Sequence, residues 1–233
     1  MATHRPEPGL RASAPPIRHV EPRSATLDQL RCLDEAADDD FATMLILAAT
    51  TGMRRGELCG LEWSALQLSS DGPGTALVCQ VVVHGHDGRP LVRPSTKTGR
   101  SRRISLDGAT VTTLRDHRER CETVARACSA RSLGRFVFSP LPGNAEPYQP
   151  HSVTRRFTRP CNRLGIEGLT LHQATRHFAA TQLIADGIDV RTVAGRLGHS
   201  RASFTLDVYS HLLTERDDGA ASLLGGLVNR PDR

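Results

Sequence analysis

Residues 169–211 read LTLHQATRHFAATQLIADGIDVRTVAGRLGHSRASFTLDVYSH and bring together His172, Arg176, His177, His199 and Tyr209, one of two tyrosines in the chain. The apolar spacing predicts three short helices. Ala179, Ala180, Leu183 and Ile184 recur at three and four residues, and Gly187 suits the left-handed conformation that stops a helix. Asp189 then caps a second helix with the stripe Val190, Val193, Ala194 and Leu197, closed by Gly198. Ser203 is expected to open a third, with Leu206, Tyr209 and Leu213 on one face. That placement leaves Tyr209 half buried with its hydroxyl at an edge. Such a phenol is either a packed structural tyrosine or a nucleophile, and the pattern alone leaves both readings open.

The order Arg176-His177, Arg196-Leu197-Gly198-His199-Ser200 and then Tyr209 resembles the second sequence box of the tyrosine recombinases, the phage integrase family. Upstream, residues 51–63 read TGMRRGELCGLEW and resemble the first box of that family, T-G-x-R-x-x-E-L-x-x-L-x-W. One departure stands out. The family pattern is H-x-x-R, whereas His172 and Arg176 enclose Gln173, Ala174 and Thr175. The alternation of Leu169 and Leu171 predicts extended chain up to that point. The helix would then begin at Gln173, the extra residue would be absorbed in the preceding loop, and His172 would point inward.

The resemblance implies roles. Arg54 and Arg176 would grip the nonbridging oxygens of a phosphodiester, with Glu57 holding the Arg54 guanidinium by a charge-assisted bond. Tyr209 would attack phosphorus and form a 3′-phosphotyrosyl bond. His172 would act as base and Lys97 as the acid that protonates the departing 5′-oxygen. His199 would donate a hydrogen bond to the phosphate, and His177, beside Arg176, would be structural. No cofactor or metal is implied, because arginines supply the positive charge that many nucleases take from metal ions.

Composition points the same way with less force. The 233 residues carry a net charge of +5 and a sequence pI of about 9.2, which suits a polyanionic partner. Six scattered cysteines show no C-x-x-C pair and no histidine at zinc-ligand spacing, as expected of core residues in a reducing compartment. Every basic residue except Lys97 is arginine. A lone lysine marks either an exposed turn or a position that needs a transferable proton, which arginine does not release. Lys97 also fills the slot where the family's β-hairpin carries a catalytic lysine. With no long apolar run, the chain is expected to be soluble and cytoplasmic, without a membrane partner.

Along the chain, residues 1–23 are rich in proline and arginine and read as a linker or disordered arm. Thr26 and Gln29 form a capping box for a helix to about Ala37, and Asp38–Asp40 read as the start of a second helix that ends near Gly52, not as a metal site. Residues 76–83, 91–93 and 102–106 read as a three-stranded antiparallel sheet, with turns at Asp87-Gly88 and Thr98-Gly99. Residues 109–128 return to helix. Tyr148 lies between prolines, a poor place for an aimed nucleophile. Ser152 is expected to cap a helix toward Leu164 that is broken or bent at Pro160. Its Arg155, Arg156 and Arg159 form either a phosphate-tracking face or a solvated basic one. Residues 214–233 carry Leu223, Leu224 and Leu227, suited to a neighbouring protomer or to this domain itself.

The expected architecture is α+β and mainly α-helical: a tyrosine-recombinase catalytic fold over residues 24–213 with a small three-stranded antiparallel sheet. The resemblance implies a site-specific recombinase acting on duplex DNA as a homo-tetramer on paired recombination sites. Two other readings are a type IB topoisomerase-like strand transferase and a non-catalytic DNA-binding remnant.

Overall fold

The structure, a computed structural model, describes residues 23–94, 101–130, 132–203, 205–206, 208–209 and 217–228. The expected arm at residues 1–22, the turn carrying Lys97 and the position of Leu213 lie outside the described residues.

The capping box forms as expected: Thr26 accepts from the Gln29 amide and Gln29 from the Thr26 amide, starting α1 (Leu27–Ala36). Asp38 caps α2 (Asp39–Thr51) by accepting from Phe41 N, and Asp39 and Asp40 sit in its positive first turn. Gly52 ends α2 at φ +65°, and after Met53 and Arg54 α3 (Arg55–Cys59) begins. A Cβ on Gly52 would lie 2.3 Å from Leu197 Cδ2, so this turn is shaped by both its φ and its neighbour. The connection is therefore tight, and it fixes Arg54 at the junction of α2 and α3.

The sheet differs from expectation. Residues 76–83 are not one strand: β2 (Gly74–Val78) and β3 (Gln80–His84) flank a break at Cys79. β2 pairs antiparallel with β1 (Leu66–Gln67) on one side and β5 (Arg102–Leu106) on the other, Ala76 facing Leu66 and Ile104. β3 forms a separate ribbon with β4 (Pro90–Pro94), Val82 opposite Val92. The break has a local cause. The Gln80 side chain donates to Gly60 O at 2.6 Å and to Glu62 Oε1 at 2.7 Å, drawing the chain over α3. There Gly56 approaches the ribbon so closely that a Cβ would sit 2.8 Å from Val82 O. Consecutive apolar residues run through both strands, Ala76–Cys79 and Val81–Val83, so they carry no sign of the change of partner.

Asp107 caps α4 (Gly108–Ala127), a helix that buries Val111, Leu114, His117, Cys121 and Ala125. α5 runs Pro150–Arg163. Its N-cap is Gln149 with Pro150 at the first turn, so Ser152 lies inside the helix and is not its cap. Pro160 also does not end it. The proline sits in the last turn, its ring buried and its carbonyl accepting from Leu164 N at 3.0 Å. Only one backbone bond is lost there.

α6 (Phe178–Ala185) and α7 (Val190–Leu197) follow, joined through Gly187 at φ +88° and the Asp189 cap, and Gly198 closes α7 at φ +69°. The next helix begins at residue 202 rather than at Ser203 and carries Tyr209. Its inward residues are Thr205 and Tyr209, one turn apart, while Leu206 is exposed. A final helix, Asp217–Val228, leaves Leu223, Leu224 and Leu227 exposed.

Two apolar clusters result. The larger joins α1, α2, α4, α5 and the β-sheet, including Leu33, Leu47, Leu58, Ile104, Leu114 and Phe157. The smaller comprises Ala180, Ile184, Val193, Leu197 and Tyr209. Polar bonds cross between the two sets of elements: Arg196 donates to Thr50 O and Ser105 O, and Arg102 Nε donates to Arg196 O.

Candidate active site

The site is assembled where these two clusters meet. Glu57 is its anionic centre, 1% exposed. The carboxylate receives both terminal nitrogens of Arg102 at 2.8 and 2.7 Å, Arg54 Nη1 at 3.0 Å and the Arg54 amide at 2.8 Å. Burial alone would raise its pKa, but the Arg102 hydrogen bonds and the Arg102 and Arg54 charges outweigh this and hold it below the usual range. Arg54 also donates to Gly198 O at 3.0 Å, tying the α2–α3 junction to the end of α7.

Arg176 is buried and donates from Nη1 to Gly52 O at 2.7 Å. Its Nη2 is buried with no hydrogen-bond partner among the described residues. Burial and the neighbouring Arg54 push the Arg176 pKa down to about 10. A buried guanidinium nitrogen left unpartnered is costly, and an anion is the natural acceptor for it.

His172 and Arg176 come together by a route the sequence reading did not foresee. The helix already includes Leu171 and His172, so the expected extended chain up to Gln173 is corrected. Thr170 starts it: its Oγ1 accepts from the Gln173 amide at 3.2 Å, while Gln173 Oε1 accepts from the Thr170 amide at 2.9 Å. Residues Gln173–His177 then form a single π turn. One inserted residue in an α-helix is accommodated in this way. The wider turn returns His172 toward the side that regular three-residue spacing would give it, and three successive residues, Ala174, Thr175 and Arg176, are buried. Gln173 is engaged in the cap.

The His172 ring packs edge-on against His177, centroids 4.7 Å apart, and His177 Nδ1 lies 2.6 Å from the Tyr209 hydroxyl. Desolvation, then His177, Arg176 and Arg54, push His172 down to about 4; burial and nearby arginines do the same to His199. His177 is lowered too, by burial and Arg176. Tyr209 is buried, which raises its pKa to about 12, with Arg176 acting in the opposite direction. The resting site therefore holds a neutral phenol, neutral imidazoles and three arginines around one carboxylate. It has an excess of positive charge.

The profile of the phage integrase family matches residues 25–216. The chain belongs to the phage integrase family. A XerC-like tyrosine recombinase of Caldanaerobacter subterraneus subsp. tengcongensis is 26% identical over 194 residues, 79% of this chain and 49% of the relative. The ICEBs1 integrase of Bacillus subtilis is 27% identical over 194 residues, covering 81% and 49%. This member of the family thus spans about half the length of those curated relatives. Among solved structures, the Tn1549 transposon integrase in complex with transposon right end DNA superposes with a TM-score of 0.70 at 18% identity, covering 89% of this chain and 67% of that one. The XerH site-specific recombinase in its post-cleavage complex gives 0.63 at 19% identity, covering 88% and 54%. The fold is that of a tyrosine recombinase catalytic domain, mainly helical with small antiparallel sheets.

Set against the integrase-family pattern, Arg54, Glu57, His172, Arg176, His177, His199 and Tyr209 gather at this site, and Lys97 lies outside the described residues. Two further contributors had no sequence signal. Arg102 opens β5 as one of 29 arginines, and nothing in its flanks distinguishes it. Thr205 Oγ1 lies 2.7 Å from His199 Nδ1. Gly198 has a second role here: a Cβ would meet the Arg102 guanidinium at 2.8 Å. Arg155, Arg156 and Arg159 of α5 do not form one face. Arg155 and Arg159 are exposed, whereas Arg156 is engaged by Asp38 and the Tyr148 hydroxyl and stacks 5.4 Å from the Phe41 ring.

Proposed function

We propose that residues 24–213 are the catalytic domain of a site-specific recombinase that cuts and rejoins duplex DNA through a 3′-phosphotyrosyl intermediate. The observation that carries this reading is the Tyr209 hydroxyl held against His177 beside Arg176, whose unpartnered Nη2 faces the need for an anion. A phosphodiester supplies that anion. Arg176 and Arg54 would bind its nonbridging oxygens and offset the charge that grows on the pentavalent phosphorus. Tyr209 would attack phosphorus, forming the P–O bond to the phenol and breaking the bond to the 5′-oxygen. The phenolic proton would pass to His177 Nδ1, the nitrogen within reach of the hydroxyl at 2.6 Å, unless the His172 ring packed against it moves in to act as the base that the resemblance implies. Both are neutral at physiological pH, as a base must be. Lys97 would return a proton to the 5′-oxygen, and His199, set by Thr205, would donate to the phosphate. Arginines carry the charge in this scheme, so no metal ion enters a step.

The relatives support the wider reading. The Tn1549 integrase is bound to transposon end DNA and XerH to its difH substrate. By that likeness this chain would act as a homo-tetramer on paired sites in the cytoplasm. Exposed Arg155 and Arg159 would track phosphates, and Leu223, Leu224 and Leu227 would contact a neighbouring protomer. The π turn favours an active site over a degenerate remnant, because it restores the His172–Arg176 relation that the extra residue would otherwise disturb.

Covalent trapping on a nicked duplex tests the proposal. Wild type should form a protein–DNA adduct resistant to denaturation, in the presence of EDTA as well. Tyr209→Phe should bind the same duplex and form none. An adduct that persists in Tyr209→Phe, through Tyr148 or any other residue, removes Tyr209 from the reaction.

A further inference from the structure

Outside the site around Glu57, three unlike donors meet on α2 and α4. Asp40 lies in the first turn of α2; His117 and Cys121 are one turn apart on α4. Asp40 Oδ1 is 3.3 Å from His117 Nδ1, and Cys121 Sγ is 3.9 Å from the same nitrogen. A carboxylate oxygen, an imidazole nitrogen and a sulfur all lie within 4.8 Å of one another. Zinc bonds of 2.0–2.3 Å in tetrahedral geometry place donors about 3.5 Å apart, so these separations need little adjustment.

The surroundings are those of a ligand set. His117 Nε2 lies 2.8 Å from Val137 O, which fixes that nitrogen as a donor and leaves Nδ1 facing Asp40, while Cys121 Sγ lies beside the ring, 3.9 Å from Nδ1 and 3.6 Å from Nε2. A carbonyl behind the ring is the usual support of a metal-binding histidine. The ring is also held between Trp63 and Phe138, centroids 5.7 and 5.2 Å away. Asn144 Nδ2 donates to Phe136 O and Val137 O and lies 3.6 Å from Cys121 Sγ, a hydrogen bond that would temper a thiolate. A cleft of about 250 Å³ opens on the three donors and leaves room for a water ligand. Arg120 and Arg156 line the same cleft.

We propose that Asp40, His117 and Cys121 form a structural zinc site that pins the first turn of α2 to the middle of α4. The cleft is lined by none of the residues gathered around Glu57. Its metal would therefore stabilise the domain and take no part in strand cleavage. The reading is independent of the proposed reaction.

The experiment uses the full chain, stripped with EDTA, with Co²⁺ as the spectroscopic probe and Zn²⁺ as the competitor. Wild type should show a thiolate-to-cobalt charge-transfer band that Zn²⁺ bleaches, and excess Zn²⁺ should raise Tm by about 5 °C over EDTA. Cys121→Ala, a small apolar change in a buried position, should keep the helical circular dichroism yet lose both the band and the shift. Asp40→Asn, at a half-exposed position that need not disturb folding, should weaken cobalt binding at least tenfold. Absence of the band in wild type overturns the proposal. So does a band that survives in Cys121→Ala, which would place the metal on another cysteine. Cleavage in EDTA serves as the separate readout for the recombinase reading.

Discussion

Replacing Glu57 with glutamine tests whether the site is organised around one carboxylate. The side chain is nearly isosteric, so packing is preserved while one charge is removed. In the structure that charge faces Arg102, whose side chain is only 15% exposed, through two bonds of 2.7 and 2.8 Å, and Arg54 through one of 3.0 Å. Removing one partner of a buried ion pair commonly costs about 3–5 kcal/mol, because the remaining charge stays desolvated. For a domain of this size that corresponds to a fall in Tm of roughly 10 °C. Glutamine can accept from only one of the two Arg102 nitrogens, so the value should fall near the middle of that range. Arg54 should also lose its orientation, and cleavage should drop by about 100-fold or more, the scale seen when a preorganised charge is lost. Thermal unfolding by circular dichroism and single-turnover cleavage of a nicked duplex measure the two effects. A double variant, Glu57→Leu with Arg102→Met, should recover most of the stability and none of the activity. If Glu57→Gln melts within a degree of wild type, the network is not holding the site, and the argument from its geometry fails.

Further outcomes follow from the same geometry. Lys97→Arg should leave DNA binding intact and slow cleavage, and a 5′-bridging phosphorothiolate, whose leaving sulfur needs no proton, should restore the rate; lack of rescue would make Lys97 a DNA-positioning residue. His172→Ala should reduce cleavage by about 10²–10⁴-fold, the range for a general base. Gln173→Ala should cost about 1 kcal/mol of stability through the lost cap and leave the cleavage rate nearly unchanged; the reverse pattern would refute the roles given to the π turn. His172 and His199 fold with pKa values of about 4 against 6.5 unfolded, so their contribution is complete above pH 6.5 and lost as pH falls through 4. Allowing for solvent screening, the DNA-free protein should lose about 2 kcal/mol between pH 6.5 and 4 by denaturant titration, and a flat profile would contradict the neutral imidazoles.

Local order along the chain was legible in the residues themselves. Thr26, Asp38 and Asp189 announced their helices because a capping oxygen acts on amides only two or three residues away. Gly52, Gly187 and Gly198 announced helix ends because positive φ is a property of the single residue. The resemblance of two boxes to the family singled out Arg54, Glu57, Arg176, His177, His199 and Tyr209, and the structure gathers them at one site. Tertiary structure decided the rest. The apolar runs within residues 76–83 read the same for one strand or two, and the Gln80 bonds to Gly60 and Glu62 set the break. The extra residue before Arg176 could be absorbed in a loop, a rotation or a π turn. The outcome depended on burying Ala174, Thr175 and Arg176 against neighbours remote in sequence. Arg102 reaches Glu57 across 45 positions, and Asp40 reaches His117 across 77. Such meetings follow from how helices and strands pack, and a pattern read over a few residues does not contain them.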